Sequence, residues 1–491
     1  MRTPSRIRII LLLWIVQAVL PFSAGLHAEP PGEAGRVVHV GPEYNLEELF
    51  LHDDTIVDRS QGLVLAPATV RKHPGNPVLV KDRPWEVGIL NYTCVLQDRE
   101  EGLFKMWYQI IRPKAGGGGN ESWCLYATSP DGLVWEKPEL GIVEHDGSTR
   151  NNILFYEHEG IRGTPSYWVE KDYAASDPSR RYKMMLQRWD FRGRGAAMAH
   201  SPDGIHWTIP EFGNRLGPFD TRNIFFWDDI VGAYVGYFRS HVGSRRSISR
   251  ATSPDAYHWS RPVTIHTPDE QDPPTWHLYT PGIFKYAGAR NAYFMLTAGF
   301  DEVTHAMYGE LGTSRDGIEW HRFRRPFLGT SGEGEWDGGH VMPIPADASI
   351  GGETALFYQG STRPAHDGTG KRGIGVAFLG RGAFVGRKAA SQGNLLTHPL
   401  RIRDSRSRFF LNADAGEGSI RAELLDGSGR VLDGFSRDDC RPIRGKGSRL
   451  PVHWTGQEEL KQHLRNGTVR LKLYLDQATV YGFYCRRPPR R

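Results

Sequence analysis

The chain has 491 residues, 39% of them hydrophobic, and a formal net charge of +5. That length exceeds one typical domain and predicts two or three. The charge is small and forms no basic face, and part of it lies in the terminal run Arg486-Arg-Pro-Pro-Arg-Arg491, which argues against a nucleic-acid binder.

The first residues read as an export signal. Arg2, Arg6 and Arg8 precede an apolar run over 9–20, and Leu26-His-Ala28 offers a small-residue cleavage site. The apolar run is short for a membrane span, so residues 1–28 are assigned to a signal peptide and the mature chain to the periplasm or the medium. Residues 29–43 read as a Pro/Gly linker and 45–51 as a short helix. The four cysteines, Cys94, Cys124, Cys440 and Cys485, allow three pairings. Cys440 with Cys485 is favoured because both lie near the C-terminus. No His- or Cys-rich metal pattern occurs, so no metal and no cofactor are assigned.

From residue 87 the sequence turns to short β-rich runs between turns. Runs over 87–96, 104–111 and 123–128 lead to Ser129-Pro-Asp-Gly-Leu-Val-Trp135. The Gly-rich insertion over 114–120 reads as a loop. The motif returns as Ser201-Pro-Asp-Gly-Ile-His-Trp207, Ser253-Pro-Asp-Ala-Tyr-His-Trp259 and Ser314-Arg-Asp-Gly-Ile-Glu-Trp320, at spacings of 72, 52 and 61 residues. A propeller blade takes about 40–50 residues before insertions. In each copy the Asp can hold a turn, the Gly permits φ > 0, and the Trp returns to an apolar surface. Three strands precede each copy: 166–169, 182–187 and 196–200; 223–227, 234–239 and 247–251; 279–286, 292–298 and 307–312. A fifth cycle without the motif runs through 340–344, 355–359, 374–379 and 381–385. The prediction is therefore all-β: a five-bladed β-propeller over 44–390 followed by a C-terminal β-sandwich over 391–491. The sandwich rests on alternating runs at 409–413, 420–425, 452–454, 469–473 and 479–484, with a short helix expected over 458–464.

Together, the repeated Ser-x-Asp-Gly-x-x-Trp turns and the segments Asn412-Ala-Asp414, Glu423-Leu-Leu-Asp426, Asp439-Cys-Arg-Pro442 and Val452-His-Trp454 resemble the glycoside hydrolase family 32, 43 and 68 superfamily. The resemblance implies a carbohydrate substrate bound in the central funnel. The N-D-P-N-G-like, R-D-P and E-C segments that carry catalysis in family 32 are absent, so its catalytic residues do not transfer.

Glycoside hydrolysis uses two carboxyl groups, one an acid and the other a nucleophile or base. Acids beside the first strand of each blade are the candidates: Glu86, Asp220, Asp272 and Asp337. Trp85 is expected to raise the Glu86 carboxyl by desolvation, and Arg222 to hold Asp220 ionised. Trp85, Trp276 and Trp336 are candidate sugar platforms. Arg222, His277, Tyr279 and His340 complete the expected substrate contacts. The leading expectation is an exported glycoside hydrolase. The alternatives are a non-catalytic carbohydrate-binding propeller and a family 130-type phosphorylase, in which Arg222 or Arg239 could serve phosphate.

Overall fold

Most of the expected strands form, and within the first five sheets most pair with their neighbours in sequence. The computed structural model describes residues 38–40, 48–114, 117, 120–156, 167–190, 193–209, 216–220, 222–289, 291–402, 407–416, 418–455 and 468–486. Residues 1–37 lie outside the described residues, as do the helix expected over 458–464 and most of the loop over 114–120. The fold is all-β. Among the described residues the helical content is one short 3-10 turn, Pro178–Arg180.

Five antiparallel sheets follow one another along the chain. The first contains Ile89–Asp98, Leu103–Pro113, Asn120–Ser129 and Ile153–Tyr156. The second contains Trp168–Lys171, Tyr182–Asp190 and Gly193–Ser201. The third contains Ile224–Asp228, Ala233–Val242, Arg245–Ser253 and Val263–His266. The fourth opens with Trp276–Thr280 and Ile283–Lys285 on Tyr293–Asp301, then adds Met307–Ser314 and His321–Leu328. The fifth is His340–Ile350, Glu353–Ser361 and Arg372–Leu379. Its outer edge is not the expected 381–385 segment. Arg71–Lys72 and Leu79–Val80 pair there with Arg372–Leu379, so the N-terminal part of the chain completes the last sheet. The inner strands Ile89–Asp98, Trp168–Lys171, Ile224–Asp228, Ile283–Lys285 and His340–Ile350 touch in turn, and the fifth touches the first.

The four Trp motifs behave as one device. Ser129 Oγ accepts from the Gly132 amide (2.8 Å), Asp131 Oδ1 accepts from the amides of Leu133 and Val134, and the Trp135 indole donates to the Gly132 carbonyl. The same Ser and Asp bonds hold the copies at 201 and 314. In the copy at 253, Ala256 occupies the glycine position at φ 68°, a left-handed conformation that disfavours any residue with a Cβ.

Two further sheets gather the chain ends. Val64–Pro67, Val385–Lys388, Thr479–Arg486, Arg408–Asp414 and Lys446–Pro451 form one, with Leu49–Phe50 also on Thr479–Arg486. Val38–Val40, Leu400–Ile402, Thr468–Asp476, Gln392–Thr397 and Val57–Gln61 form the other, with Ser419–Leu425 also on Thr468–Asp476. The expected helix over 45–51 is therefore replaced at Leu49–Phe50 by a strand paired with Gly482 and Phe483. Cys440 and Cys485, expected to bridge, are free thiols in this packing, as are Cys94 and Cys124. Cys440 Sγ instead accepts from the Ala422 amide at 3.2 Å.

Glu48 lies where these sheets meet the fourth. Its amide donates to Gly288 O, and its buried carboxyl accepts from Asn412 Nδ2 (2.6 Å) and Tyr484 OH (2.7 Å). Burial raises this carboxyl from its ordinary 4.5 to about 8, against the lowering effect of Tyr484 and Asn412. The unfolded chain ionises it at the ordinary value. The stabilisation tied to the protonated form is thus complete below about pH 4.5 and is lost as pH rises to about 8. Glu48→Gln removes this loss. Its Tm relative to the native chain is expected to climb from pH 5 to pH 8 by several degrees, since a shift of this size is worth about 3–4 kcal/mol over that range. Differential scanning fluorimetry across that range reads the trend, and a constant difference would show that folded Glu48 is ionised throughout.

Candidate functional site at the ring of inner strands

Ile89–Asp98 and Trp276–Thr280 each carry an extra residue. The register of Ile89–Asp98 against its neighbour shifts between Asn91 and Thr93, and that of Trp276–Thr280 shifts between Leu278 and Thr280. The extra residues are Tyr92 and Tyr279. A bulge re-aims a side chain that the regular alternation would place elsewhere. Tyr92 and Tyr279 share a cluster with Phe300, Met307, Met342 and Ala365.

Arginines surround this cluster. The Arg239 guanidinium stands 4.8 Å from the Tyr279 ring and donates to the Tyr279 carbonyl (3.2 Å). Arg246 lies 5.3 Å from the same ring and 5.8 Å from Phe300. Arg372 donates to Asn91 Oδ1 at 3.4 Å and lies within electrostatic reach of Tyr92 and Tyr279. The buried Nε–H groups of Arg239, Arg246 and Arg372 have no partner among the described residues. Buried donors normally find acceptors, so three unpaired guanidinium N–H groups in one place need an explanation. Two imidazoles border the cluster. His277 Nδ1 accepts from the Arg246 amide (3.0 Å), which leaves its Nε2–H to donate to Glu302 (2.9 Å). His366 Nε2 meets Tyr279 OH at 2.9 Å, and burial holds this imidazole down at about 4, with Arg246 acting in the same direction.

Asp220 is the predicted carboxylate that reaches this centre. It pairs with Arg239, and its side chain is 26% exposed. Arg222, expected to hold Asp220, does something else. Its guanidinium is fully buried and donates to Thr93 O (3.0 Å) and Pro343 O (2.7 Å), joining the inner strands of the first and fifth sheets.

The other three carboxylates are committed elsewhere. Glu86 is closed in by Lys137 (2.8 Å to both oxygens), Tyr108 OH (2.7 Å) and the amides of Asp82 and Arg83. Asp337 is buried against Lys72 (2.5 Å) and Tyr358 OH (3.0 Å). Asp272 is buried against Arg322 (2.8 Å) and Arg324 (3.0 Å). Burial would raise Asp337 and Asp272, but Lys72 and Arg322 outweigh it and hold both below the usual carboxylate range, the wrong direction for an acid catalyst. These three serve separate sheets: Glu86 the first, Asp272 the fourth and Asp337 the fifth.

The three candidate platforms are packing residues. Trp85 packs on the core beneath it and donates to Asn152 Oδ1 (2.8 Å), Trp276 is buried against Tyr308, and Trp336 stacks on Tyr358 with ring centroids 5.6 Å apart. His340 is buried, with Nδ1 donating to Arg363 O (2.8 Å), and burial holds it neutral at about 4. Tyr279 and His277 do reach the cluster. Tyr92, Arg246, His366 and Arg372 were not singled out from the sequence. The available signal was a bulge, which shows only once two strands are in register.

No family model matches the chain, and no curated protein matches it. The family 32, 43 and 68 resemblance is therefore not matched at family level. Solved structures are similar at low identity. A β-1,2-mannobiose phosphorylase from Listeria innocua has 12% identity and a TM-score of 0.47 over 63% of this chain and 96% of its own. A member of glycoside hydrolase family 130 that targets β-1,2 mannosidic linkages in Candida mannan has 15% identity and a TM-score of 0.44 over 63% and 94%. A glycosyl hydrolase from Bacteroides ovatus has 17% identity and a TM-score of 0.42 over 63% and 94%. At this level of similarity the activity of those proteins says nothing about this one, and the functional reading rests on the geometry.

Replacing Glu86 by Gln leaves Lys137 buried with one partner fewer. Breaking a buried pair in this way costs about 3–5 kcal/mol, so Glu86→Gln and Asp337→Asn are expected to lower Tm by several degrees. Their effect on ligand binding at the ring centre should be small once both variants are measured below their own transitions. A normal Tm with lost binding would place these carboxylates in the site.

Proposed function

We propose that the five consecutive sheets are the blades of a five-bladed β-propeller, that the two remaining sheets form a β-sandwich, and that the ring centre cleaves a glycan with phosphate as nucleophile. The carbohydrate class rests on the sequence resemblance. The reaction type rests on one observation: Arg239, Arg246 and Arg372, each with a buried Nε–H unpaired among the described residues, gather around Tyr92 and Tyr279, where Arg239 also pairs with Asp220. Guanidinium forks match the oxygens of phosphate.

In this reading Arg239, Arg246 and Arg372 hold the phosphate. Its charge competes with Asp220 for Arg239, which lets Asp220 take a proton. Asp220 then gives that proton to the glycosidic oxygen while a phosphate oxygen bonds to the anomeric carbon and the old C–O bond breaks. The products are a sugar 1-phosphate and a shortened glycan. A second reading, hydrolysis of a glycan bearing carboxylates, draws on the same arginines. The charged, apolar and small-residue pattern of residues 2–28 supports export.

The test is product release from a broad glycan panel with and without inorganic phosphate. The expected result is sugar 1-phosphate formed only when phosphate is present. Asp220→Asn should lower kcat by about 10²–10⁴-fold, and Arg246→Ala should raise the KM for phosphate about tenfold. Release of free acidic sugar without phosphate would favour the second reading. Binding without release would leave a carbohydrate-binding propeller.

A further inference from the structure

A cavity opens at the other end of the ring. Tyr92, Asn223, Tyr279 and His340 lie near or before the starts of the inner strands Ile89–Asp98, Ile224–Asp228, Ile283–Lys285 and His340–Ile350, whereas this cavity is lined by residues near their ends: Gln97, Glu170, Trp227, Lys285 and Asp347, one from each of the five sheets. Its volume is about 880 Å³, within the range of small-molecule sites. The ring-centre chemistry uses none of it.

The walls contain charges, but the charges answer one another. Lys171 pairs with Asp98 (2.7 Å), Lys183 with Asp172 (2.8 Å), Arg99 with Asp347 (3.1 Å) and Lys285 with Asp229. Glu170 is the exception, since no basic side chain bonds to it among the described residues. Its Oε1 accepts from the Trp168 indole at 3.1 Å. Trp227, whose neighbours in the cavity wall include Phe226 and Ile283, leaves 49% of its surface open. Tyr234 packs edge-on against its ring, with centroids 5.1 Å apart, and so fixes its orientation. A fixed, half-exposed aromatic face beside an unpaired carboxyl group, within walls of balanced charge, offers stacking and neutral hydrogen bonding but no attraction for an ion.

We infer that this cavity is a second ligand site, separate from the ring centre, and that it takes a neutral saccharide whose apolar face stacks on Trp227 while a hydroxyl bonds to Glu170. The inference does not depend on the reaction assigned to the ring centre. Burial supports the carboxyl's role by raising Glu170 to about 8, so that near neutral pH it can donate as well as accept. The other groups facing it are Cys94 and Tyr234, both pushed upward chiefly by burial, and the paired Lys171, Asp172 and Lys183.

The experiment is isothermal titration calorimetry of the full chain with three uncharged trisaccharides (raffinose, maltotriose and mannotriose) and with trigalacturonate. The expected result is binding of at least one neutral trisaccharide. Trp227→Ala and Glu170→Leu should each weaken it about tenfold, the loss of one stacked face or one hydrogen bond. Glu170→Gln should keep the affinity, and it should also remove the decline in affinity expected for the native chain as pH rises through about 8. Trp227 is half-exposed, so its variant should fold, and an unchanged Tm checks this. Three results would overturn the inference: no binding of any neutral trisaccharide at millimolar concentration, binding that neither Trp227→Ala nor Glu170→Leu weakens, or trigalacturonate binding as tightly with the same dependence on Trp227.

Discussion

Arg222 holds the ring together from its centre. It begins beside the inner strand of the third sheet, yet its two terminal nitrogens bond carbonyls on the inner strands of the first and fifth. A fully buried guanidinium is costly to desolvate, and burial lowers its pKa to about 10. It stays charged all the same, because carbonyl oxygens are the partners that a buried cation can use without a neutralising acid. Removing it would leave those carbonyls without their donors at the seam where the ring closes.

Away from that seam, neighbouring sheets are joined by a repeated latch. The carboxylate near the end of one inner strand accepts from a tyrosine at or near the start of the next sheet's second strand: Asp98 from Tyr182, Asp172 from Tyr234 and Asp228 from Tyr293. A lysine accompanies each: Lys171 at Asp98, Lys183 at Asp172 and Lys285 at Asp228. Where the fifth sheet needs an outer edge, Arg71–Lys72 supplies it, and Lys72 also neutralises Asp337. The same buried carboxylate, tyrosine and lysine arrangement recurs in the first sheet as Glu86, Tyr108 and Lys137. These acids stand beside inner strands, as catalytic acids would, and in the structure they bond tyrosines and lysines from other strands and segments.

The ring has two ends with opposite electrostatics. At the early end, Arg239, Arg246 and Arg372 gather, and two bulges set Tyr92 and Tyr279 among them. At the late end the cavity walls are charge-balanced and Glu170 remains without a cation. One strand set therefore presents an anion-seeking face and a neutral, aromatic one.

Local chemistry alone settled the all-β character and the repeated turn. Ser, Asp, Gly and Trp at fixed offsets satisfy one another within seven residues, so the motif is legible wherever it occurs. The short antiparallel strands between motifs are legible for the same reason, because their partners are their neighbours. The roles of Glu86, Asp272 and Asp337 were not legible, since an acid beside an inner strand reads the same whether its partner is a substrate or a lysine from another segment. Lys72 reaches Asp337 across 265 residues of chain, and no local pattern announces that pairing. Arg246 and Arg372 were hidden because a bulge and a ring closure decide which side chains meet at the centre. The site is thus a property of register and closure, which only the tertiary structure decides.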